Sequence, residues 1–369
     1  MDFVINTLMK ILITYASAGA GHRKAAEALY HSIKKNTSHE ATICDSLDYA
    51  NPLFKKLYTG SYAYMITHAP FLWKFVYEVM DLPWLQGLIR LVRGIYNQVT
   101  LGRFHQYLIN EKFDYIFSTH FMASEICGRL KKQRKIASRV VTIVTDYDVH
   151  RIWVVEGIDI FCVASDFTAD RLKHLGVLER QIVVTGIPVD EKFIQVHDIV
   201  ELKEKLGLIK DGFTVLIATG SFGIGPIEAI VDELRDFQVM VVCGHNRKLF
   251  ERLKAKQREN LHVLGLVDNM HELMAVADCM VTKPGGLSIT EALVSQLPLI
   301  FFNAIPGQEV NNVKVLKQYG IGISDCPIDQ IGAYLRTLAA SKDAHRNAVN
   351  HTKELARPQA VRDIRTLIT

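Results

Sequence analysis

Short unbroken apolar runs and stretches of helical spacing alternate along most of this chain. A first series of runs falls at 11–15, 115–118, 140–144 and 160–164, and a second at 214–218, 239–243, 261–264, 279–282 and 299–302. Runs that are apolar throughout fit strands buried on both faces of a parallel sheet. Between them apolar residues return at the helical period, as at Ala25, Ala26, Leu29, Tyr30 and Ile33 within 23–35. Two series of alternating strands and helices predict an α/β protein with two parallel-sheet domains. Thr185-Gly186-Ile187-Pro188 reads as the exit from the first. The expected partition is 1–188, 189–345 and a helical tail over 346–369.

Glycine-rich turns follow several strands, and there the candidate chemistry gathers. The run 279–282 enters Lys283-Pro284-Gly285-Gly286 and a helix over 287–294. Adjacent glycines let backbone N–H groups approach an anion, and the positive end of the helix faces the same spot. Glu291, one turn inside that helix, is placed to accept hydrogen bonds from ribose hydroxyls. A Gly-Gly turn before a helix is also common in any parallel α/β protein. Thr219-Gly220-Ser221-Phe222-Gly223 ends another strand and is expected to supply further amides; an ordinary turn is the alternative. Pro306-Gly307-Gln308-Glu309 reads as a tight turn at the same end of the sheet, with Gln308 and Glu309 toward sugar hydroxyls.

Near the start, 11–15 leads into Ser17-Ala18-Gly19-Ala20-Gly21-His22. The G-x-G-x-x-G spacing of dinucleotide binders is absent. His22, at the C-terminal end of a strand, is suited to deprotonate a hydroxyl; the alternative is a histidine capping its helix. Asp146 and Asp148 form a D-x-D after 140–144, a two-residue coincidence that by itself supports no metal site.

Composition adds two constraints. With 369 residues, 49% hydrophobic and 22% charged, the chain has room for two cores. Six cysteines without a C-x-x-C pair read as buried thiols in a reducing compartment. The apolar run after Lys10 is too short for a secretory signal, and no run reaches the roughly 18 residues a membrane span requires.

Charge is uneven. The formal net charge is +4, yet 53–139 holds thirteen Lys/Arg against five Asp/Glu. Within it, 52–103 carries Phe54, Tyr58, Tyr62, Tyr64, Phe71, Trp73, Phe75, Tyr77, Trp84 and Tyr96. From Trp84 onward Leu85, Leu88, Leu91, Val92, Ile95 and Val99 fall on one helical face, with Arg90 and Arg93 elsewhere. That is the signature of a membrane-surface helix with aromatic anchors and cations for lipid head groups. An ordinary helical layer packed on the sheet fits the composition as well. Lys131, Lys132, Arg134 and Lys135 would extend a basic surface. A nucleic-acid-binding protein is the rival of a different class, with steep salt dependence, but it leaves the second domain without a role.

Thr282 to Ala292 (TKPGGxSxxEA) and Pro306 to Asn312 (PGQExxN) resemble the donor half of the glycolipid glycosyltransferases that include monogalactosyldiacylglycerol synthase and processive diacylglycerol glucosyltransferase, with the peptidoglycan N-acetylglucosaminyltransferase a more distant relative. Gly21-His22 and the T-D-Y-x-x-H-x-x-W pattern of Thr145, Asp146, Tyr147, His150 and Trp153 match their acceptor half. The resemblance implies a GT-B fold, two Rossmann-like domains facing a central cleft, with the tail crossing back to the first.

It further implies a UDP-sugar held by Gly220, Ser221, Phe222, Lys283, Gly285 and Gly286 at phosphate, Val267 near uracil, Glu291 at ribose, and Gln308 and Glu309 at the hexose. His22 is the expected base, with Asp146 either orienting it or acting as base itself. His150 and Trp153 are expected at the acceptor, and Trp73, Trp84, Arg90 and Arg93 at the membrane. The implied reaction is inverting transfer of glucose or galactose to diacylglycerol or a glycosyl-diacylglycerol, without cofactor or metal. The enzyme would be cytoplasmic, peripheral on an anionic membrane, with no nucleic-acid partner. An N-acetylglucosamine transferase on another lipid or soluble acceptor and a non-hydrolysing UDP-sugar epimerase remain alternatives; hexose, number of sugars and oligomeric state stay open.

Overall fold

The computed structural model describes residues 8–17, 19–221, 223–324 and 326–368. Ala18, Phe222 and the side chain of Tyr62 lie outside the described residues. The chain divides into two compact units: Met1–Asp190 with Pro306–Gln308 and Gln359–Thr369, and Glu191–Ile305 with Glu309–Pro358.

The first unit is built on six parallel strands: β1 (Lys10–Tyr15), β2 (Glu40–Asp45), β3 (Tyr115–Ser118), β4 (Arg139–Ile143), β5 (Ile160–Val163) and β6 (Ile182–Val184), in the order β2-β1-β3-β4-β5-β6. Both faces are covered. Ile11, Ile13, Phe117, Val141 and Cys162 pack with Ala26, Leu29 and Ile33 of the helix Ala20–Asn36 and with Ile364. Leu12, Ile116, Val140 and Phe161 pack with Phe104, Leu108, Met122 and Ile126. The helix Ala360–Arg365 lies along Ala20–Asn36, where Arg365 Nη1 donates to Ser32 Oγ at 2.9 Å.

Four helices, Pro52–His68, Pro70–Asp81, Gln86–Thr100 and Gly102–Glu111, occupy the aromatic and basic region. In Gln86–Thr100 the polar side is turned inward. Glu125 Oε2 accepts from Arg93 Nη2 at 2.6 Å and Asn97 Nδ2 at 3.1 Å, and Asn97 and Gly94 are buried. The apolar side, Leu88, Leu91, Val92, Ile95 and Val99, is more than half exposed at every position. Among the described residues no helix is long and apolar enough to cross a membrane.

The second unit has five parallel strands, β7 (Thr214–Ala218), β8 (Gln238–Val242), β9 (Leu261–Leu264), β10 (Cys279–Thr282) and β11 (Leu299–Phe301), ordered β11-β10-β7-β8-β9. One face buries Val215, Ile217, Val239, Val241 and Val281 against Ile227, Ile230, Ile331 and Leu335. Neighbouring strands diverge in connection between β7 and β10, and between β1 and β3 in the first sheet. Open α/β sheets bind ligands at such switch points, beyond the carboxyl ends of the strands.

Strands β2 and β6 lie outside the expected apolar runs, and two helix starts differ from expectation. The helix after β1 begins at Ala20, so His22 lies within its first turn instead of before it; Gly19, in extended conformation, takes the N-cap. Gln308 and Glu309 open the helix Gln308–Gln318 instead of forming a turn. All six cysteines are free thiols, five of them buried.

Candidate active site

At the β1/β3 switch point, half-buried His22 faces the end of the neighbouring strand. Its Nδ1 lies 2.7 Å from Thr119 O and 3.0 Å from Thr145 Oγ1. A carbonyl only accepts, so Nδ1 carries the proton and Nε2 keeps its lone pair. Thr119 Oγ1 donates in return to His22 O at 2.9 Å. Burial lowers the His22 pKa to about 4, partly opposed by the Thr119 hydrogen bond. The ring is therefore neutral at neutral pH, with one nitrogen fixed and the other basic.

The Thr119 carbonyl orients the His22 ring at Nδ1. Asp146 is buried and its Oδ1 accepts from Gln308 Nε2 at 2.9 Å, within the first unit. Beside Gln308, Gly307 adopts φ +86°, and a Cβ there would meet the Tyr77 ring at 2.7 Å, so only glycine fits.

His150 and Trp153, expected at the acceptor, are both buried. His150 Nδ1 accepts from Ile152 N at 3.0 Å and its Nε2–H donates to Tyr77 O at 2.9 Å. Both nitrogens are thus spent on holding the loop after β4 to the helix Pro70–Asp81. Trp153 is 3% exposed, its ring 6.2 Å from that of His22. Trp73 is half-buried beside Tyr77, whereas Trp84 is 78% exposed.

The basic surface is smaller than composition suggests. Arg93 is committed to Glu125, Arg90 to Glu156 at 3.2 Å, Lys131 to Asp159 and Lys132 to Glu156. A basic residue opposite a carboxylate spends its charge inside the protein, and sequence counting does not register that.

The second unit places its cluster at the β7/β10 switch point. Thr282 Oγ1 donates to Ala218 O at 2.6 Å, tying the two strand ends together. Gly285 N donates to Lys283 O at 2.9 Å, within the tight glycine turn. Gly285 is the N-cap of the helix Gly286–Val294, and Ile289 N is the first amide to bond within it, to Gly285 O. The amides of Gly286, Leu287 and Ser288 form the open first turn.

The stem of Lys283 passes 3.9 Å from where a Cβ on Gly225 would lie, which brings the loop after β7 against it. Burial lowers the Lys283 pKa, and Glu309 opposes that shift. Glu309 is itself 9% exposed; its Oε2 accepts from Ile305 N at 2.8 Å and its Oε1 is 4.0 Å from a Cβ built on Gly285. It braces its own helix start through Oε2, beside the glycine turn.

In the loop after β7, Gly220 has φ +77°, and Ser221 O accepts from His245 N at 2.8 Å. Glu291 is half-buried on the helix Gly286–Val294. Val267 follows the edge strand β9, separated from β10 by β7 and β8.

Two residues that matter were given no role from sequence, one of them the last residue of the Pro306 to Asn312 motif. Asn312, fully buried, donates from Nδ2 to Pro284 O at 3.1 Å and so pins the glycine turn. His120, at the end of β3, packs its ring 4.7 Å from His22, edge to face. Its position after a buried strand adjacent to β1 was the available signal.

Two doubly wound sheets, each with polar groups at its own switch point, are the architecture of a GT-B glycosyltransferase. The model described as monogalactosyldiacylglycerol (MGDG) synthase matches residues 22–189, and the glycosyltransferase family 28 C-terminal domain matches 214–357. A Bacillus cereus processive diacylglycerol beta-glucosyltransferase is 30% identical over 322 residues, covering 85% of this chain and 81% of that one. Its Bacillus subtilis counterpart is 27% identical over 361 residues, covering 95% and 92%.

Among solved structures, Staphylococcus aureus MnaA with UDP gives a TM-score of 0.63 at 15% identity, covering 98% of this chain and 96% of that one. Acinetobacter baumannii MurG gives 0.56 at 15% identity, covering 97% and 99%. The chain is a glycosyltransferase. It belongs to the processive diacylglycerol beta-glucosyltransferase family.

Proposed function

We propose that this enzyme transfers a hexose, glucose or galactose, from a UDP-sugar to the free hydroxyl of diacylglycerol or a glycosyl-diacylglycerol at a membrane surface, with inversion. The observation that carries the reading is His22, neutral, fixed at Nδ1 and basic at Nε2. Nε2 takes the proton of the acceptor hydroxyl as its oxygen attacks the anomeric carbon and the bond to the diphosphate breaks. One displacement at that carbon inverts it.

The departing charge falls to the amides of Gly286, Leu287 and Ser288, the helix N-terminus and the Lys283 ammonium, with the loop holding Gly220 and Ser221 beside them. This charge stabilisation is the role proposed in place of a metal cofactor. Glu291 would hold the ribose, and Gln308 with Asp146 the hexose hydroxyls. UDP occupies one fold neighbour, and diacylglycerol stands in the names of the relatives.

The outward apolar side of Gln86–Thr100, with Trp84, Phe71 and Phe75, is the proposed lipid-facing surface. A helix whose polar side is held by Glu125 and Glu156 and whose apolar side faces outward is suited to lie at an interface.

The test is a panel of UDP-glucose, UDP-galactose and UDP-N-acetylglucosamine against diacylglycerol in mixed micelles, with products separated by chromatography. Glycosyl-diacylglycerol from one of the two hexoses is expected. Consumption of donor without acceptor, or product from N-acetylglucosamine alone, would refute the proposal.

A further inference from the structure

We propose that His120 is a positioning residue for His22, holding its ring edge to face and keeping water from it. This rests on the reading of His22 as the base.

The two histidines stand at the ends of β1 and β3, which pair directly. Their ring centroids are 4.7 Å apart and the planes 79° to one another. His120 cannot turn away. Its Nδ1 accepts from Met122 N at 3.2 Å as the N-cap of the helix Phe121–Lys132, and its carbonyl accepts from Ser118 Oγ at 2.9 Å and Ser124 N at 3.1 Å. The Phe121 ring lies 4.2 Å away and the residue is 2% exposed. The His22 ring is therefore held by the Thr119 carbonyl at one nitrogen and by a locked imidazole beside it.

His120 also stays neutral, since burial first, then His22 and Arg93, keep its pKa far below the usual value. It does not compete for the proton. Around His22 stand the Thr119 carbonyl, the Thr145 hydroxyl, the Trp153 ring and His120, with Asp146 next to Thr145 in the chain and held by Gln308. Only the two imidazoles among these titrate between pH 4 and 8 in the usual course. A half-buried and a buried imidazole in contact, each with Nδ1 assigned by a different backbone partner, form a prearranged pair.

Asparagine separates positioning from capping, because its Oδ1 stands where the histidine Nδ1 stood and Asn is a strong N-cap. In His120→Asn the cap survives while the ring facing His22 is gone. More water then surrounds His22, the burial penalty falls, and its pKa rises from about 4 toward 6.5. The experiment is the pH profile of kcat/KM from pH 5 to 8, with melting temperature and UDP affinity measured on the same preparations.

Wild type is expected to be flat across the window. His120→Asn should melt near wild type, bind UDP within twofold, lose roughly tenfold or more in kcat, and show an acid limb inside the window. His120→Phe, which keeps a ring but loses the cap, should melt lower while its profile stays flat. A flat profile with unchanged kcat in His120→Asn overturns the proposal, as does an acid limb in His120→Phe alone. His22→Ala, run alongside, tells the two readings apart: if it retains transfer, the base assignment fails whatever the His120 variants do.

Discussion

His22 illustrates how one residue acquires a role through its partners. Any histidine at a helix start can cap or catalyse; the Thr119 carbonyl decides between them by accepting a hydrogen bond from Nδ1–H. Because its conjugate acid titrates near pH 4, activity limited by this base should hold down to about pH 5 and fall only below, whereas an ordinary histidine would lose it near 6.5. A pH–rate profile checks this. Glu291→Ala should weaken UDP by about tenfold, the worth of a charge-assisted hydrogen bond, with equal effect on every UDP-sugar; calorimetry with UDP and two UDP-hexoses measures it. Glu309 and His150 are polar groups whose partners in the fold include backbone. Residue type announces the capacity for a hydrogen bond, and only the fold shows whether Ile305 N or a ligand receives it.

At the scale of elements, strands were legible and helix starts less so. Strands β3, β7 and β10 fall where apolar runs place them, because burial on both faces of a parallel sheet favours apolar residues throughout, whereas β9, at the sheet edge with His262, is only partly buried. The helix Ala20–Asn36 begins earlier than its apolar period, since its first turn faces the site and carries small residues and His22. The amphipathic period of Gln86–Thr100 was plain, but period alone does not say which side faces in. Glu125, distant in sequence, draws Arg93 and Asn97 inward. Leu91→Glu on the outer side should therefore leave the melting temperature unchanged and reduce flotation with anionic liposomes several-fold. Asn312→Ala should cost about 1–3 kcal/mol for a buried unpaired carbonyl and weaken UDP as the Pro284 turn loosens; denaturant unfolding and calorimetry test the two parts.

For the whole molecule, each unit is a complete doubly wound sheet with its polar groups at its own switch point. Lys283 gives the second unit a pH signature. Burial lowers its pKa in the free protein, and only the ammonium attracts a diphosphate, so UDP affinity should decline with rising pH earlier than a lysine at 10.5 would dictate. The most direct test of the account is His22→Ala assayed twice on one preparation, for UDP binding by calorimetry and for glycolipid formation from UDP-hexose and diacylglycerol. The account predicts UDP affinity within twofold of wild type and glycolipid formation reduced by about a hundredfold or more, the usual worth of a general base. Glycolipid formation that persists, or that falls in step with UDP affinity, would contradict it.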